Sequence, residues 1–285
     1  MRQLVEIATN RDSVVIIVTL TGAFEGIASM RIAQIKDQVQ QSSQFFAQLW
    51  RIYNQIRVDE LFHFGRRQST EQVINKELMI LITSEGGFSG DIDERLVNEA
   101  LSRYSPAKND IIVVGHHGLV LLEQRNIKPK RSFQLPIHDR NITAAPLIEE
   151  VQRYASTTVY YQSYQSLMNQ EIRTIKLATA VAERGQAVEA GEEIISEANY
   201  IFEPSAFAVV DHLERSMMQI TLSEVILESK LAQYASRFQA MSVAKERADE
   251  SLHDLTWQFN RAKRHLKDER LKEMINGLRG AEGVL

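Results

Sequence analysis

Residues 213–266 decide the architecture of this chain: LERSMMQITLSEVILESKLAQYASRFQAMSVAKERADESLHDLTWQFNRAKRHL. Alternating steps of four and three residues from Leu213 reach sixteen positions, and fourteen of these are apolar residues or alanine; Glu224 and Lys245 are the exceptions. About seven heptads with this occupancy are typical of a coiled-coil seam rather than of a helix on a globular core. The stretch therefore predicts a long helix that packs along a partner helix.

The distribution of helix breakers extends this helix beyond the seam. All five prolines lie between Pro106 and Pro204, and the next glycine or proline after Pro204 is Gly277. In a helix interior, proline costs about 3 kcal/mol and glycine about 1 kcal/mol relative to alanine. The stretch without either residue predicts one C-terminal helix over 205–276.

A partner seam with the same spacing occurs near the N-terminus. Its positions are Ile35, Val39, Ser42, Phe46, Leu49, Tyr53 and Ile56. Two helices from opposite ends of the chain would pair antiparallel, over residues 1–60 and 205–276. Upstream, Val14–Leu20 is apolar all round, which predicts either a strand or a helix that is buried on every side.

Strand and helix signals alternate between the two terminal helices. The apolar runs 78–83 and 111–115 predict strands, as do residues 132–135 and 157–161, with helical stretches between them. This order is typical of a mostly parallel sheet with helices packed on it. The expected fold class is α/β plus a long antiparallel coiled coil. Helices over 1–62 and 205–285 would form a shaft, and a Rossmann-like α/β domain over 63–204 would form a foot.

Composition excludes several classes of protein. The chain carries a formal charge of −4 and no cysteine, which excludes disulfides, thiolate chemistry and cysteine-bound metals, and favours a reducing compartment. An acidic chain is not expected to bind nucleic acid over its whole surface. The longest apolar run, Val14–Leu20, is much shorter than the roughly 20 residues of a membrane span, and no signal peptide is evident. We therefore expect membrane association only through partners.

Two short motifs could carry chemistry. Ser84–Gly90 (SEGGFSG) lies between a predicted strand and a predicted helix, where phosphate-binding loops occur, but it matches no phosphate-binding pattern. The residues favour a tight structural turn over a nucleotide site. Adjacent histidines, His116 and His117, follow the next strand without a metal-ligand pattern around them, and a solvent-exposed turn is favoured over a metal site.

Charge is segregated close to the C-terminus. Residues 261–272 (RAKRHLKDERLK) contain six lysines and arginines against two acidic residues, a net charge of +4. Such a segment is either a solvated helix face or a positive collar that meets an acidic partner. The sequence alone leaves both interpretations open.

The stretch Arg237–Met274 resembles the C-terminal helix of the γ subunit of F-type ATP synthases. The family pattern is approximately ARMxAMxxATxNAxxxIxxLxxxYNKARQxxITxEL. The residues in register with it, without a gap, are Arg237, Met241, Ala244, Ala248, Leu255, Asn260, Ala262 and Leu271. Phe259 replaces the tyrosine of the pattern, and Arg261-Ala-Lys263 stands for KAR.

Other segments agree with this resemblance. Thr21–Ile32 is similar to TKAMEMVAASKM, Leu81–Asp93 to VVSTDRGLCGGLN, and Phe202-Glu-Pro204 to the YEP that precedes the family's long helix. Residues 112–120 resemble the IGSKGV segment. The chain also departs from the pattern: Val14–Leu20 is apolar where the family is basic, and Gly22 and Gly26 are expected to interrupt the first helix.

The resemblance implies a non-catalytic subunit, without cofactor or metal. It would be the central rotor shaft that couples ion-driven rotation of a c-ring to ATP synthesis or hydrolysis in an α3β3 ring. The implied partners are the α and β subunits, the ε subunit and the c-ring, without nucleic acid. The protein would lie on the cytoplasmic face of the bacterial plasma membrane, attached through the Fo sector.

The resemblance also implies two groups of contact residues. The residues expected to face the ring are Phe24, Arg31, Arg237, Asn260, Arg261, Lys263, Arg264 and Asp268. Arg264 and Asp268 replace a glutamine and a threonine of the family. The residues expected over the c-ring are Tyr200, Phe202 and Glu203.

Two other functions remain open from the residues alone. One is a coiled-coil adaptor whose α/β domain binds a partner outside any ATPase. The other is a nucleotide-using α/β enzyme with Ser84–Gly90 as its site. Neither accounts for the match of residues 237–274 to the family pattern.

Overall fold

The computed structural model describes residues 2–55, 73–135, 142, 144–186 and 201–282. Its helices are α1 (Arg2–Gln55), α2 (Ile92–Ser102), α3 (His116–Gln124), α4 (Ala145–Val151), α5 (Leu177–Gln186) and α6 (Ala206–Glu282). Its strands are β1 (Ile74–Ile82), β2 (Asn109–Val114), β3 (Arg131–Phe133), β4 (Tyr154–Tyr164) and β5 (Gln170–Lys176). The chain divides into two compact units: a terminal unit, residues 1–27 with 238–285, and a central unit, residues 28–237.

The central unit contains one five-stranded sheet in the order β3-β2-β1-β4-β5. The first four strands are parallel, and β5 pairs antiparallel with β4. The order 3-2-1-4 is that of doubly wound α/β folds, in which the strand order reverses between β1 and β4. The expected mostly parallel, Rossmann-like sheet is therefore confirmed.

The two faces of the sheet bury alternate residues of the same strands. Leu78, Ile80 and Ile82 of β1 pack with α4, α5 and α6 on one face. Met79 and Leu81 pack with α2 and α3 on the other face. Burial on both faces explains why the strands read as unbroken apolar runs in the sequence.

A close backbone approach joins the end of β1 to the start of α3. Gly115 has φ of 102°, and a Cβ atom there would lie 2.1 Å from the carbonyl oxygen of Thr83. The Thr83 hydroxyl donates to the Val114 carbonyl (3.0 Å) and accepts the Gly118 amide (3.0 Å). Only glycine combines this φ with this separation, so Gly115 determines where the loop after β1 lies.

The predicted seam is confirmed in the terminal unit. Each of its positions between 241 and 266 is buried or half-buried, whereas most other α6 residues in this range are exposed. α1 pairs with this face in antiparallel orientation. Glu25 forms an ion pair with Lys245 (3.4 Å), and the Arg11 guanidinium lies over the Phe259 ring at 4.8 Å.

In the central unit the seam is only one of the buried faces of α6. Phe46 and Trp50 of α1 pack with Met217 of α6, as the paired helices predict, and also with Val181 of α5. The described positions of the N-terminal seam, residues 35, 46, 49 and 53, are all buried or half-buried. The side chains of Val39 and Ser42, and the whole of Ile56, lie outside the described residues. α6 also packs Leu222, Val225 and Ile226 against the sheet.

Val14–Leu20 is neither a strand nor a helix that is buried on every side. It belongs to α1, which is continuous from Arg2 to Gln55, so Gly22 and Gly26 do not interrupt the helix. Ile16 is 60% exposed and Leu20 is 51% exposed. One helix partner covers only one stripe of α1, and the remaining apolar side chains of this segment therefore face outward.

One described segment, Leu4–Ile35, is long and apolar enough to cross a membrane by length and composition, with a mean hydropathy of 1.7 in its most apolar window. The expectation that no segment reaches this length is therefore wrong. Little of the most apolar window is buried. Within the segment as a whole, Arg11 and Glu25 contact α6. Helices of soluble proteins also meet the same two criteria, and we assign no membrane span from them.

Two elements were not predicted from the sequence, β5 and α5. β5 (QEIRTIK) is largely polar and occupies an edge of the sheet, so it lacks the apolar run that marks the central strands. The proposed domain boundaries at residues 62/63 and 204/205 stay predictions; the first lies within residues 56–72, outside the described part of the chain.

The pairing of α1 with α6 predicts a specific cross-link. A Cβ atom on Gly22 would lie 3.8 Å from Cε of Lys245, and the chain contains no cysteine. We expect a short bis-maleimide reagent, which replaces the reach of the lysine side chain, to cross-link Gly22→Cys with Lys245→Cys, visible as a mobility shift on a denaturing gel. Gly22→Cys with Val243→Cys, on an exposed face of α6, is the control. Equal cross-linking of both pairs would contradict the observed orientation.

The contact between Gly115 and Thr83 predicts a large effect on stability. Gly115→Ala should lower the free energy of unfolding by about 3 kcal/mol, because the methyl group meets backbone and the positive φ is strained. Gly87→Ala, with nothing within 4 Å, should change it by about 0.5 kcal/mol or less. Denaturant or thermal unfolding of the two variants tests this, and equal melting temperatures would refute it.

Candidate functional site

The loop Ser84–Gly90 is a tight turn that its own side chains hold in place. Phe88 has φ of 67° and Gly90 has φ of 65°. The Glu85 carboxylate accepts the backbone amides of His116 (3.3 Å) and Leu135. A carboxylate of the protein therefore occupies the N-terminus of α3, where a phosphate group would bind in a nucleotide site. This geometry favours the structural turn over a nucleotide site.

Asp93 in the first turn of α2 is the centre of a buried polar cluster. The residue is 1% exposed. Its carboxylate accepts the Ser84 amide (3.3 Å), the Ser84 hydroxyl, and the Gln162 side-chain amide (2.7 Å). His117 Nδ1 lies 2.7 Å from its Oδ2. Because an ionised carboxylate only accepts hydrogen bonds, Nδ1 is the donor.

The sequence favoured a solvent-exposed turn at His116 and His117, and this interpretation is wrong. Both belong to α3, and only His116 is exposed, while His117 is half-buried. The hydrogen bond to Asp93 raises the pKa of His117 above its usual value; burial opposes this, and the negative charge of Asp93 adds to it. Sequence reasoning missed this pair because the residues are 24 positions apart.

The cluster continues into α6 through Gln162. The Gln162 side-chain oxygen accepts the Ser229 hydroxyl and the Gln233 amide (3.3 Å). Gln162 extends from β4, next to β1, so these groups lie where the strand order reverses. In open α/β sheets the crevice at this point, at the carboxyl ends of the strands, is the usual ligand site. Here side chains of α2, β4 and α6 meet at it.

α6 also holds the loop Ser84–Gly90 directly. The Ser236 hydroxyl donates to the Ser89 carbonyl (2.6 Å), and Arg237 Nη2 donates to the Gly86 carbonyl (3.4 Å). Phe88, in the same loop, is 64% exposed. The loop is thus fixed from one side by α6 and presents an aromatic ring to the surroundings.

In the terminal unit, the predicted collar consists of exposed side chains. Asn260, Arg261, Lys263, Arg264 and Asp268 are all exposed. The Arg261 guanidinium lies over the Trp257 ring (5.4 Å) and the Lys263 ammonium over the Phe259 ring (6.0 Å). Arg264 Nε donates to the Asn260 carbonyl (3.4 Å). The positive charges therefore lie on more than one side of the helix.

A groove of about 510 Å³ lies beside the collar. Its lining combines apolar side chains with charged ones: Leu4, Ile7, Trp257, Gln258, Arg261, Ala262, His265, Leu266 and Glu269. Trp257 is 56% exposed. Trp257 was not singled out from the sequence, because it lies outside the seam and the charged segment. An exposed tryptophan next to an arginine combines two of the residue types most enriched among energetically dominant interface residues.

The other predicted contact residues are distributed along the chain. Phe24 is 36% exposed, and Arg31 Nη1 donates to Gln34 Oε1 (3.4 Å). Phe202 is half-buried and Glu203 is exposed. Tyr200 lies outside the described residues. Among the residues that the structure describes, no three histidine and acidic side chains are grouped to hold a metal ion.

Comparison with known families gives a match over almost the whole chain. The family described as ATP synthase matches residues 3–280. The ATP synthase gamma chain of Geobacter metallireducens is 28% identical, covering 75% of this chain and 76% of its own length. The gamma chain of Chlorobaculum parvum is 24% identical over 90% of this chain and 91% of its own. The identities mark this chain as a divergent relative.

Solved structures agree on the fold. The rotor of the Euglena gracilis mitochondrial ATP synthase in rotational state 1 aligns with a TM-score of 0.58 at 15% identity, covering 92% of this chain and 98% of the rotor chain. The Tetrahymena thermophila central stalk and c-ring structure contains a chain that aligns at 0.53 and 18% identity, covering 79% and 99%. The family match over residues 3–280 shows that the chain belongs to the ATP synthase family, as a divergent relative of its gamma chains.

Proposed function

We propose that this chain is the rotor shaft through which c-ring rotation is coupled to ATP synthesis or hydrolysis in an α3β3 ring. The observation that carries this function is the terminal unit, a helix pair with a covered seam and a positive outer surface over 261–272. A shaft whose sides differ contacts three surrounding sites differently. Such differential contact is what shifts the populations of open and closed states.

We assign the two parts of the chain the roles that the family resemblance implies. Residues 1–62 and 205–285 form the shaft, and residues 63–204 form the foot. ATP binds and reacts on the partner subunits, and this chain contributes no catalytic group. The filled strand-end crevice and the Glu85 carboxylate at α3 support this assignment. The coupling ion is a proton or a sodium ion.

The proposed ring contacts are Phe24, Arg31, Arg237, Asn260, Arg261, Lys263, Arg264 and Asp268. Arg261 and Lys263 point about 160° apart on a helix, and each lies over a different aromatic ring. A surrounding ring of subunits can meet both directions at once, whereas a single small partner meets one. Arg237 donates to the loop Ser84–Gly90, and we propose that it acts by fixing this loop.

The proposed foot contacts are Tyr200, Phe202 and Glu203, directed at the ε subunit and the c-ring. Exposure of Glu203 supports a polar contact there. The chain would then lie on the cytoplasmic face of the bacterial plasma membrane, held by the Fo sector rather than by a span of its own. Affinity purification of the full chain tests the assembly: co-purification of α- and β-type ATPase subunits supports the rotor, and their absence supports a coiled-coil adaptor.

Arg264 provides a test of the collar. A bidentate, partly buried arginine–carboxylate pair stabilises a contact by more than the ~0–1 kcal/mol that an exposed pair contributes. We expect Arg264→Gln to change the ATP hydrolysis rate of the reconstituted complex by roughly fivefold, the factor for about 1 kcal/mol. Helix stability should be retained, because glutamine is a good helix former.

The matched control is Arg103→Gln after α2, which removes the same charge from an exposed residue outside the terminal helices. It should leave hydrolysis unchanged. Thermal melting of both variants checks that the fold is intact. Identical turnover of wild type and Arg264→Gln would mean that the collar is only a solvated face.

Glu203 provides a test of the foot. Glu203→Lys should lower ion-driven ATP synthesis in membranes while leaving hydrolysis by the soluble α3β3 complex with this chain nearly unchanged, because only the first process uses the c-ring contact. Glu171→Lys on the exposed side of β5 is the charge-matched control. An equal loss in both assays would refute the assignment.

A further inference from the structure

A continuous chain of buried and partly buried hydrogen bonds connects a titratable side chain, His117, with α6. It begins at His117, which donates to Asp93 (2.7 Å), and Asp93 accepts the Gln162 amide (2.7 Å). Gln162 in turn accepts from Ser229 and Gln233 on α6. Five side chains from α3, α2, β4 and α6 thus share one network, and it lies entirely within the central unit.

The network contains one carboxylate, that of Asp93, which solvent does not reach. Asp93 is 1% exposed, and Gln162 and Ser229 are fully buried. A buried carboxylate is tolerated when it is hydrogen-bonded and paired with an opposite charge. Its described partners other than His117 are the neutral groups of Ser84 and Gln162. His117 is therefore the group in this network that can supply the compensating positive charge.

We propose that protonation of His117 controls how firmly α6 is held to the α/β domain. With a charged imidazole, the Asp93 carboxylate is compensated and orients the Gln162 amide, whose oxygen then receives the two α6 donors. With a neutral imidazole, the carboxylate is buried without a charged partner and the network weakens. His117 is a positioning residue that acts on α6 through Asp93 and Gln162.

The direction of the pH dependence follows from the histidine. Its pKa is raised in the folded chain by the hydrogen bond to Asp93, above the usual value of 6.5. A group with a raised pKa contributes stability that is fully present below the unfolded value and is lost as pH rises through the folded value. The hold on α6 should therefore be strong in mildly acidic solution and weaker in alkaline solution.

Other charged groups near the network have partners of their own. On the loop, Glu85 accepts backbone amides of His116 and Leu135. On α6, Glu228 accepts the Ser163 hydroxyl (2.6 Å) and Arg237 donates to the loop carbonyl of Gly86.

On α2 and next to α3, the exposed Glu94 pairs with Arg125 (3.5 Å). These neighbours of the network are thus glutamates and arginines. As residue types, glutamate ordinarily changes charge well below the range in which histidine does, and arginine well above it. The window between about pH 6 and pH 8.5 therefore isolates histidine.

Hydrogen exchange of the full chain tests the proposal without any partner subunit, so its failure is separate from failure of the rotor function. Protection factors, normalised to intrinsic exchange at each pH, are compared for α6 amides 222–237 in the central unit and 241–266 in the terminal unit. Protection of 222–237 should fall about five- to tenfold between about pH 6 and about pH 8.5, the difference between a charged and a neutral hydrogen bond. Protection of 241–266 should stay constant.

His117→Asn and His116→Asn form a matched pair of variants. In the first, the asparagine amide can still donate to Asp93 but cannot acquire a charge, so the pH dependence at 222–237 should disappear. His116→Asn makes the same change on the exposed neighbour and should behave as wild type. If His117→Asn fails to fold, the wild-type profile still decides: protection at 222–237 that is constant with pH overturns the proposal.

A further variant separates transmission from a local effect. Gln162→Met keeps a similar side-chain volume but removes the bridge between Asp93 and Ser229. The pH dependence should then persist in amides 84–93 and vanish in 222–237. Persistence at 222–237 in a folded Gln162→Met chain would overturn the role of Gln162.

Discussion

The apolar seam of α6 is the constraint on which the rest of the structure depends. A helix of 77 residues with a heptad stripe is not stable alone in water, because its stability comes from burial of that stripe. α1 covers the stripe in the terminal unit, and in the central unit the sheet takes additional α6 residues such as Leu222 and Ile226. Since α1 precedes all five described strands in the chain and α6 follows them, the α/β domain is an insertion between the two helices.

The sequence was most informative where burial is one-sided or complete. The 4-3 spacing predicted α6 and its seam, and the apolar runs predicted β1, β2 and β4, because both patterns reflect what each residue contacts. β5 escaped prediction because an edge strand such as QEIRTIK has only partial cover. α5 is a short helix with few buried apolar residues, Leu177 and Val181 among them. Val14–Leu20 was misjudged because apolar residues were equated with burial, whereas α1 leaves several of them exposed.

The polar cluster could not be derived from the sequence. Asp93, Gln162 and Ser229 are separated by 69 and 67 positions, and each belongs to an element whose local pattern is ordinary. Only the strand order, which sets β4 beside β1, brings them together. The loop Ser84–Gly90 was easier to interpret from the sequence, because it lacks the lysine of a phosphate-binding loop. The structure gives a physical reason as well, since the Glu85 carboxylate occupies the N-terminus of α3.

The outward apolar side chains of α1 have a consequence for how a cell must produce this protein. Ile16, Ile17, Leu20 and Ile27 are all more than two-fifths exposed, and surfaces of this kind promote aggregation when nothing covers them. A copy made in excess of its binding partners would aggregate with other copies, bind chaperones or be degraded by proteases. In the proposed assembly the ring subunits enclose α1, so synthesis of this chain would have to be balanced against theirs, and surplus copies should be short-lived.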